Sequence, residues 1–143
     1  MDGSLGDGFR EGETYSWEDV AKVFDFKPDY LAIAGGMISR PRHGALVLIT
    51  HPDGAPSFDY HDEWDGDELI YNGRGQTGDQ RFEGPNRDLG ENVRTNFVFE
   101  PDGARRLRFV GCADCVAYWR ERASDARGRE RDVLRYGLRF ARN

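Results

Sequence analysis

The chain has only two cysteines in 143 residues, Cys112 and Cys115, in the spacing C-A-D-C. A structural zinc site takes four Cys or His ligands, and His43, His51 and His61 are scattered with no second C-x-x-C. A redox dithiol needs its C-x-x-C within a βαβ setting, which the surrounding pattern lacks. The pair therefore reads as two ordinary thiols flanking a turn, and no metal or cofactor is expected. Long apolar runs are also missing, and mean hydropathy is -0.76, so no membrane-spanning helix is expected. The N-terminal MDGSLGDGFREGE is acidic and Gly-rich, unlike a signal peptide, which points to a cytoplasmic protein. Lysine is nearly absent: of 20 basic side chains only Lys22 and Lys27 are not Arg. Coding bias toward GC accounts for most of that excess, although Arg also suits bidentate phosphate or guanine contact.

The net charge of -6 is unevenly spread. Residues 1–72 hold 5 basic and 15 acidic side chains, whereas residues 73–143 hold 15 basic and 11 acidic. Contact with phosphate depends on local field rather than on the total. Aromatic residues make up 13%, enough for a packed core. The length fits one domain, residues 14–143, behind a flexible leader, 1–13. Ser16 is placed to cap a helix, with Asp19 completing a partial capping box, and Trp17, Val20, Ala21 and Phe24 follow at helical spacing until Pro28. The segment 40–44 reads as a loop. Strands are expected at Ala45–Thr50, Phe58–Trp64, Glu68–Asn72, Val93–Glu100, Leu107–Gly111, Val116–Arg122 and Val133–Phe140, with one helical turn from Asn86 to Glu91. Many short strands with turn signals and little helix suggest a mixed α/β, mainly β fold: a small curved sheet or β-barrel with a short N-terminal helix.

The densest chemistry lies between Phe58 and Leu89. Tyr60, Asp62 and Trp64 are spaced by two, so on a strand they share a face. Tyr71 follows on the next strand, beyond the bend at residues 65–67. A Gly-rich turn then carries Gly73, Gly75 and Gly78, followed by Asp79-Gln80 and Asn86-Arg87. Aromatic faces can stack on a flat base, and a carboxylate between them can accept from an amino edge. An ordinary sheet face with a surface carboxylate is the plain alternative, since aromatics favour strands anyway. Asp62, Asp65, Asp67 and Glu68 lack EF-hand spacing, and no nucleophile accompanies them for hydrolysis. The turn G-R-G-Q-T-G is neither a phosphate-binding P-loop nor a dinucleotide fingerprint; it signals a tight backbone path.

Taken together, D-x-W-x-G-D-x-x-x-Y-x-G-x-G-Q-x-G-D-Q from Asp62 to Gln80, then N-R-x-L, resembles the SRA (SET- and RING-associated) domain. The resemblance is strongest to the SRA-like domains of bacterial McrA-type, modification-dependent restriction endonucleases, and the helix segment EGETYSWEDVAKVFDF is similar to the start of such modules. It implies a PUA-like, crescent-shaped β-barrel that flips 5-methyl- or 5-hydroxymethylcytosine from double-stranded DNA. By that resemblance Asp62 is the pocket carboxylate and Tyr71 one stacking ring. Tyr60 is the other and Trp64 a pocket wall. Arg40, Arg42, Arg74, Gln76, Gln80, Arg81, Asn86 and Arg87 are the candidate DNA contacts, the Arg residues being the nearest in sequence for phosphate. Eukaryotic SRA domains carry a long insertion between the Gly-rich turn and D-Q, absent here, which puts strand-discriminating readout in doubt. No catalytic residue and no HNH signature is visible, so cleavage would fall to a separate nuclease partner. A PUA-like module for RNA or a nucleotide ligand, or a metal-dependent hydrolase using Asp62, Asp65 and Asp67, are the alternatives.

Overall fold

A computed structural model describes residues 8–32, 36–51, 62–75, 78–124 and 127–140. The chain runs through β1 (Thr14–Ser16), α1 (Trp17–Phe24), a 3-10 turn at Pro28–Ala32, β2 (Met37–Arg40), a second 3-10 turn at Pro41–His43, and β3 (Ala45–Ile49). It continues through β4 (Glu63–Asp65), β5 (Glu68–Asn72), α2 (Pro85–Gly90), β6 (Thr95–Pro101), β7 (Arg106–Ser124) and β8 (Glu130–Phe140). The described strands form one sheet in the order β2-β3-β6-β7-β8-β5-β4, with β1 paired to the start of β7. All described pairings are antiparallel except β3 with β6. The fold is mainly β with short helices, as the sequence leads one to expect.

Two apolar cores explain why β3 is buried at every position. Ala45, Val47 and Ile49 face a first core with Val20 and Phe24 of α1, Phe97 and Phe99 of β6, and Phe109 of β7. Leu46 and Leu48 face a second core, where Leu69 and Tyr71 of β5 meet Leu134, Tyr136 and Leu138 of β8. A sheet whose distant strands share one core must curl. Helix α1 starts as its residues dictate: the Ser16 hydroxyl accepts from the Asp19 N–H at 3.0 Å. Ser16→Ala should therefore cost about 1 kcal/mol, read by urea denaturation.

Four expectations need correcting. Residues 8–13 are not a loose leader. Phe9 is buried in the first core against Phe24, Phe99 and Phe109, and Gly12 N–H donates to the Phe109 carbonyl at 2.8 Å. Residues 41–43 form a 3-10 turn closed by Gly44 at φ 59°. The strands expected at 107–111 and 116–122 are one 19-residue strand. Cys112 and Cys115 lie within it and flank no turn. Gly111 resembles a strand end in the sequence, yet it sits at a β-bulge, where Val98 faces Gly111 and Phe99 faces Phe109. The extra residue swaps the faces: Leu107, Phe109 and Cys112 border the first core, while Val110, Ala113 and Cys115 border the second. A second bulge falls between Cys115 and Ala117, where the Asn92 side chain satisfies both the N–H and the carbonyl of Cys115. Both thiols are free, and burial raises both, Cys112 to about 11, which disfavours the thiolate. Among the described residues no helix is long and apolar enough to cross a membrane.

Candidate nucleobase pocket and nucleic-acid interface

The turn at Asp65–Asp67, with Gly66 at φ 63°, reverses the chain so that β4 pairs back on β5. Asp62 is thereby carried alongside Asn72, at the far end of β5. Asp62 is 8% exposed, and its carboxylate collects four donors. Oδ1 accepts from the Asn72 N–H at 2.9 Å and from Asn72 Nδ2 at 2.8 Å. Oδ2 accepts from the Thr50 hydroxyl at 2.6 Å and from the His51 N–H at 3.2 Å. Burial nonetheless outweighs these bonds and raises the Asp62 carboxyl above its usual range.

Tyr71 lies beside this knot. Its hydroxyl meets the Gly36 carbonyl at 2.5 Å and the Ile49 carbonyl at 3.3 Å. Burial first, and then the charge of Asp62, push its phenol well above the ordinary value. Alternation along β5 turns Leu69 and Tyr71 into the second core, so the Tyr71 ring is 2% exposed and offers no open face as folded. That departs from the expectation of a free stacking ring. Trp64 departs further. It is exposed on β4, where its ring packs on Phe140 at 5.5 Å, and not against Asp62 as a pocket wall. Tyr60 and Gln76 lie outside the described residues.

The Gly-rich turn is braced from beneath by three buried polar side chains. Gln80 Nε2 donates to the carbonyls of Gly73 and Gly75, and its Oε1 accepts from the Leu134 N–H. Asn86 Oδ1 accepts from the Arg74 N–H, and Nδ2 donates to the carbonyls of Arg74 and Arg81. Arg131 Nη1 donates to the carbonyls of Gly75 and Gly78. Gln80 and Asn86, expected to touch DNA, are thus spent on backbone; they were polar letters in a polar stretch, and nothing in the sequence marked them as inward. Arg131 was missed for the same reason.

The remaining cations differ in availability. Arg40 donates to the carbonyls of Phe24 and Asp25 and so finishes the C-terminal end of α1. Arg87 pairs with Glu91 on the surface, and Arg42 is exposed. Arg74 and Arg81 are exposed and line one cleft of about 370 Å³, together with Asp79, Glu83 and Pro85. Arg81, Arg120 and Phe82 line a neighbouring one of about 660 Å³. Phe82 stacks on the half-exposed Tyr118 at 4.6 Å, a pair 36 residues apart that no local pattern reveals. Among the described residues no cluster of His, Cys, Asp and Glu suits a metal ion.

No protein-family model matches the chain, and no curated protein matches it in sequence. Solved structures do match its fold. The SUVH5 SRA–fully methylated CG DNA complex aligns over 95% of this chain and 91% of that one, at 18% identity and TM-score 0.63. The sulfur binding domain and SRA domain of ScoMcrA, complexed with phosphorothioated DNA, align with TM-score 0.69 at 16% identity, over 94% of this chain and 40% of that one. The Type IV phosphorothioation-dependent restriction endonuclease ScoMcrA itself aligns with TM-score 0.67 at 16% identity, over 94% of this chain; the chain spans 28% of its length.

Proposed function

Because this chain has the SRA fold, we propose that it is a DNA-binding module that extrudes a modified cytosine from double-stranded DNA into a pocket founded on Asp62 and Tyr71. The observation that supports this reading best is the fixed, water-poor carboxylate of Asp62, held next to Tyr71 at the positions the SRA pattern assigns. Extrusion costs a few kcal/mol. Stacking returns roughly 1–3 kcal/mol per ring, and polar contacts to the base edge supply the rest. A base would reach Tyr71 by displacing whatever covers its ring. Arg74 and Arg81 are the proposed phosphate contacts, with Arg42 and Arg87 as outer ones. Tyr60 is the proposed second ring. The chain acts as a binding module and any cleavage belongs to a nuclease partner, in a restriction or defence setting in the cytoplasm. Asp62 is already engaged by four donors, which disfavours its use as a metal ligand in a hydrolase.

The test is affinity for duplexes carrying cytosine, 5-methylcytosine or 5-hydroxymethylcytosine at fixed salt. About tenfold tighter binding to one modified duplex is expected, or roughly 1.4 kcal/mol. Equal affinities would remove the proposal, and stronger binding to single-stranded RNA would favour the RNA alternative. The preference should also depend on pH. A carboxyl raised in the folded state is ionised only above that raised value, so the preference should be full once the pH exceeds it. It should fade on acidification before pH reaches 3.8, the ordinary value. The same sign means that protonating Asp62 favours the folded chain in that window, so the fading should precede acid unfolding.

A further inference from the structure

The long strand β7 has neighbours on both sides only in its first half. β6 pairs with it as far as Ala113, and β8 pairs with it on to Ser124. The Asn92 side chain covers the backbone of Cys115. From Val116 onward, the side away from β8 carries no strand among the described residues. Parity says which groups lie along that edge. The carbonyls of Leu134 and Asp132 accept from the N–H groups of Gly73 and Gln80, so these residues of β8 point their backbone away from β7. In an antiparallel ladder the residues opposite them do the same. Those residues are Arg120 and Arg122, and Tyr118 shares their parity. The N–H and carbonyl groups of Tyr118, Arg120 and Arg122 thus face outward in a row, and no described backbone group bonds to them. Val116 and Tyr118, both half-exposed apolar side chains, lie on the same stretch. Such an edge is a template for one more strand.

We propose that this edge pairs with the same edge of a second copy of the chain, joining two sheets across a two-fold axis at Trp119. A two-fold axis makes the two strands antiparallel. Outward-facing residues must meet outward-facing residues, so the axis falls on a residue and not between two. At Arg120 it would set Arg120 against Arg120 of the second copy. At Glu121 it would oppose Glu121 with Glu121 and Arg120 with Arg122. Like charges directly opposite one another destabilise a sheet. At Tyr118 the ladder would run into the bulge at Val116 within two residues. At Trp119 the axis sets Tyr118 against Arg120 and Ala117 against Glu121, and no like charges are opposed. Trp119 then meets Trp119 of the second copy in a non-hydrogen-bonded pair, where side chains come closest, and aromatic pairs of this kind favour pairing. The ring of Trp119 lies over Gly137 of β8, which leaves room beside it. The outward N–H and carbonyl of Tyr118 bond to those of Arg120 of the second copy, and the reverse.

The pairing needs no DNA and is measured without it, by sedimentation velocity over a roughly 100-fold range of protein concentration. The wild-type chain should pass from monomer to dimer as concentration rises. Arg120→Pro removes an outward N–H and leaves the bonds to β8 in place, so it should stay monomeric throughout with a wild-type circular dichroism spectrum. Trp119→Cys tests the register. Its two copies would lie within the Cα separation that a disulfide spans, about 4.4–6.8 Å, so mild oxidation should give a covalent dimer on a non-reducing gel. Ala123→Cys, whose copies would stand about 26 Å apart at about 3.3 Å per residue, should not cross-link, and neither should the wild-type chain with its two free thiols. The cysteine variants decide alone if Arg120→Pro does not fold. A wild-type chain that stays monomeric over the whole range would overturn the proposal and leave the edge to an extended segment of another protein. A dimer that persists in Arg120→Pro, with no cross-link in Trp119→Cys, would overturn it by placing the contact on another face.

Discussion

Asp62→Ala should abolish the preference for a modified duplex and lower stability by about 3 kcal/mol. Four donors converge on this carboxylate. Removing it strands the N–H groups of His51 and Asn72, each at a cost of about 1–3 kcal/mol. Thr50 and the Asn72 side chain can turn to other partners, and release of a buried charge offsets part of the loss. The net is near the lower end of what breaking a buried charged network costs, about 3–5 kcal/mol. Urea denaturation with an unchanged m-value would measure it. The functional loss has a separate origin: without Asp62 nothing ties Thr50 and His51 to Asn72, and the proposed pocket loses its shape. The residual binding should be equal for all duplexes and should still weaken with salt, since phosphate contacts carry it. Asp62→Asn distinguishes shape from charge. Its amide nitrogen would face donors, so it should destabilise although it fills the same space. Full retention of stability in both variants would mean that the four-donor knot does not form.

Gly73→Ala should be nearly as damaging, by about 2–3 kcal/mol. A methyl at this position would lie 2.7 Å from Gln80 Oε1, 2.9 Å from Leu134 Cβ and 3.3 Å from Asn86 Oδ1. Leu134 Cβ is fixed to the backbone of β8, so the turn must move, and overpacking of this kind costs about 1–3 kcal/mol. The displaced Gln80 would also lose bonds to Gly73, Gly75 and Leu134. Gly73 joins Asn72 to Arg74, so affinity for modified duplex should fall together with the melting temperature. Gly8→Ala is the control: nothing lies within 4 Å of its added methyl, and its effect should stay within about 0.5 kcal/mol.

The frame of this fold was legible where local pattern and burial agree. Ser16 and the Trp17-to-Phe24 spacing mark α1, and the apolar run 45–49 marks β3. The nine-residue interval from Asp62 to Tyr71, with a Gly-containing bend inside it, lets β4 pair back on β5. The rest was illegible for a physical reason. Whether a polar side chain faces water or a carbonyl depends on long-range packing, so Gln80, Asn86 and Arg131 looked like surface and turned out to be braces. Asn72 carried no signal, because its two bonds to Asp62 depend on how β4 folds back on β5. Tyr71 reads as an available ring in the sequence, but it enters the second core because it shares the inward face of β5 with Leu69. Phe82 and Tyr118 meet only because β7 continues past its second bulge.

That long strand constrains how the chain can change over time. Around Val110 the hydrogen-bond partners step by one, and the side facing inward on one half becomes the side facing outward on the other. A relative that lost one residue between 107 and 113 would have to regain it nearby, or its Phe and Leu positions there would turn to water. Relatives should therefore exchange Val110 for other apolar residues yet keep the count between Leu107 and Ala113. Length would then be the trait preserved where letters are not.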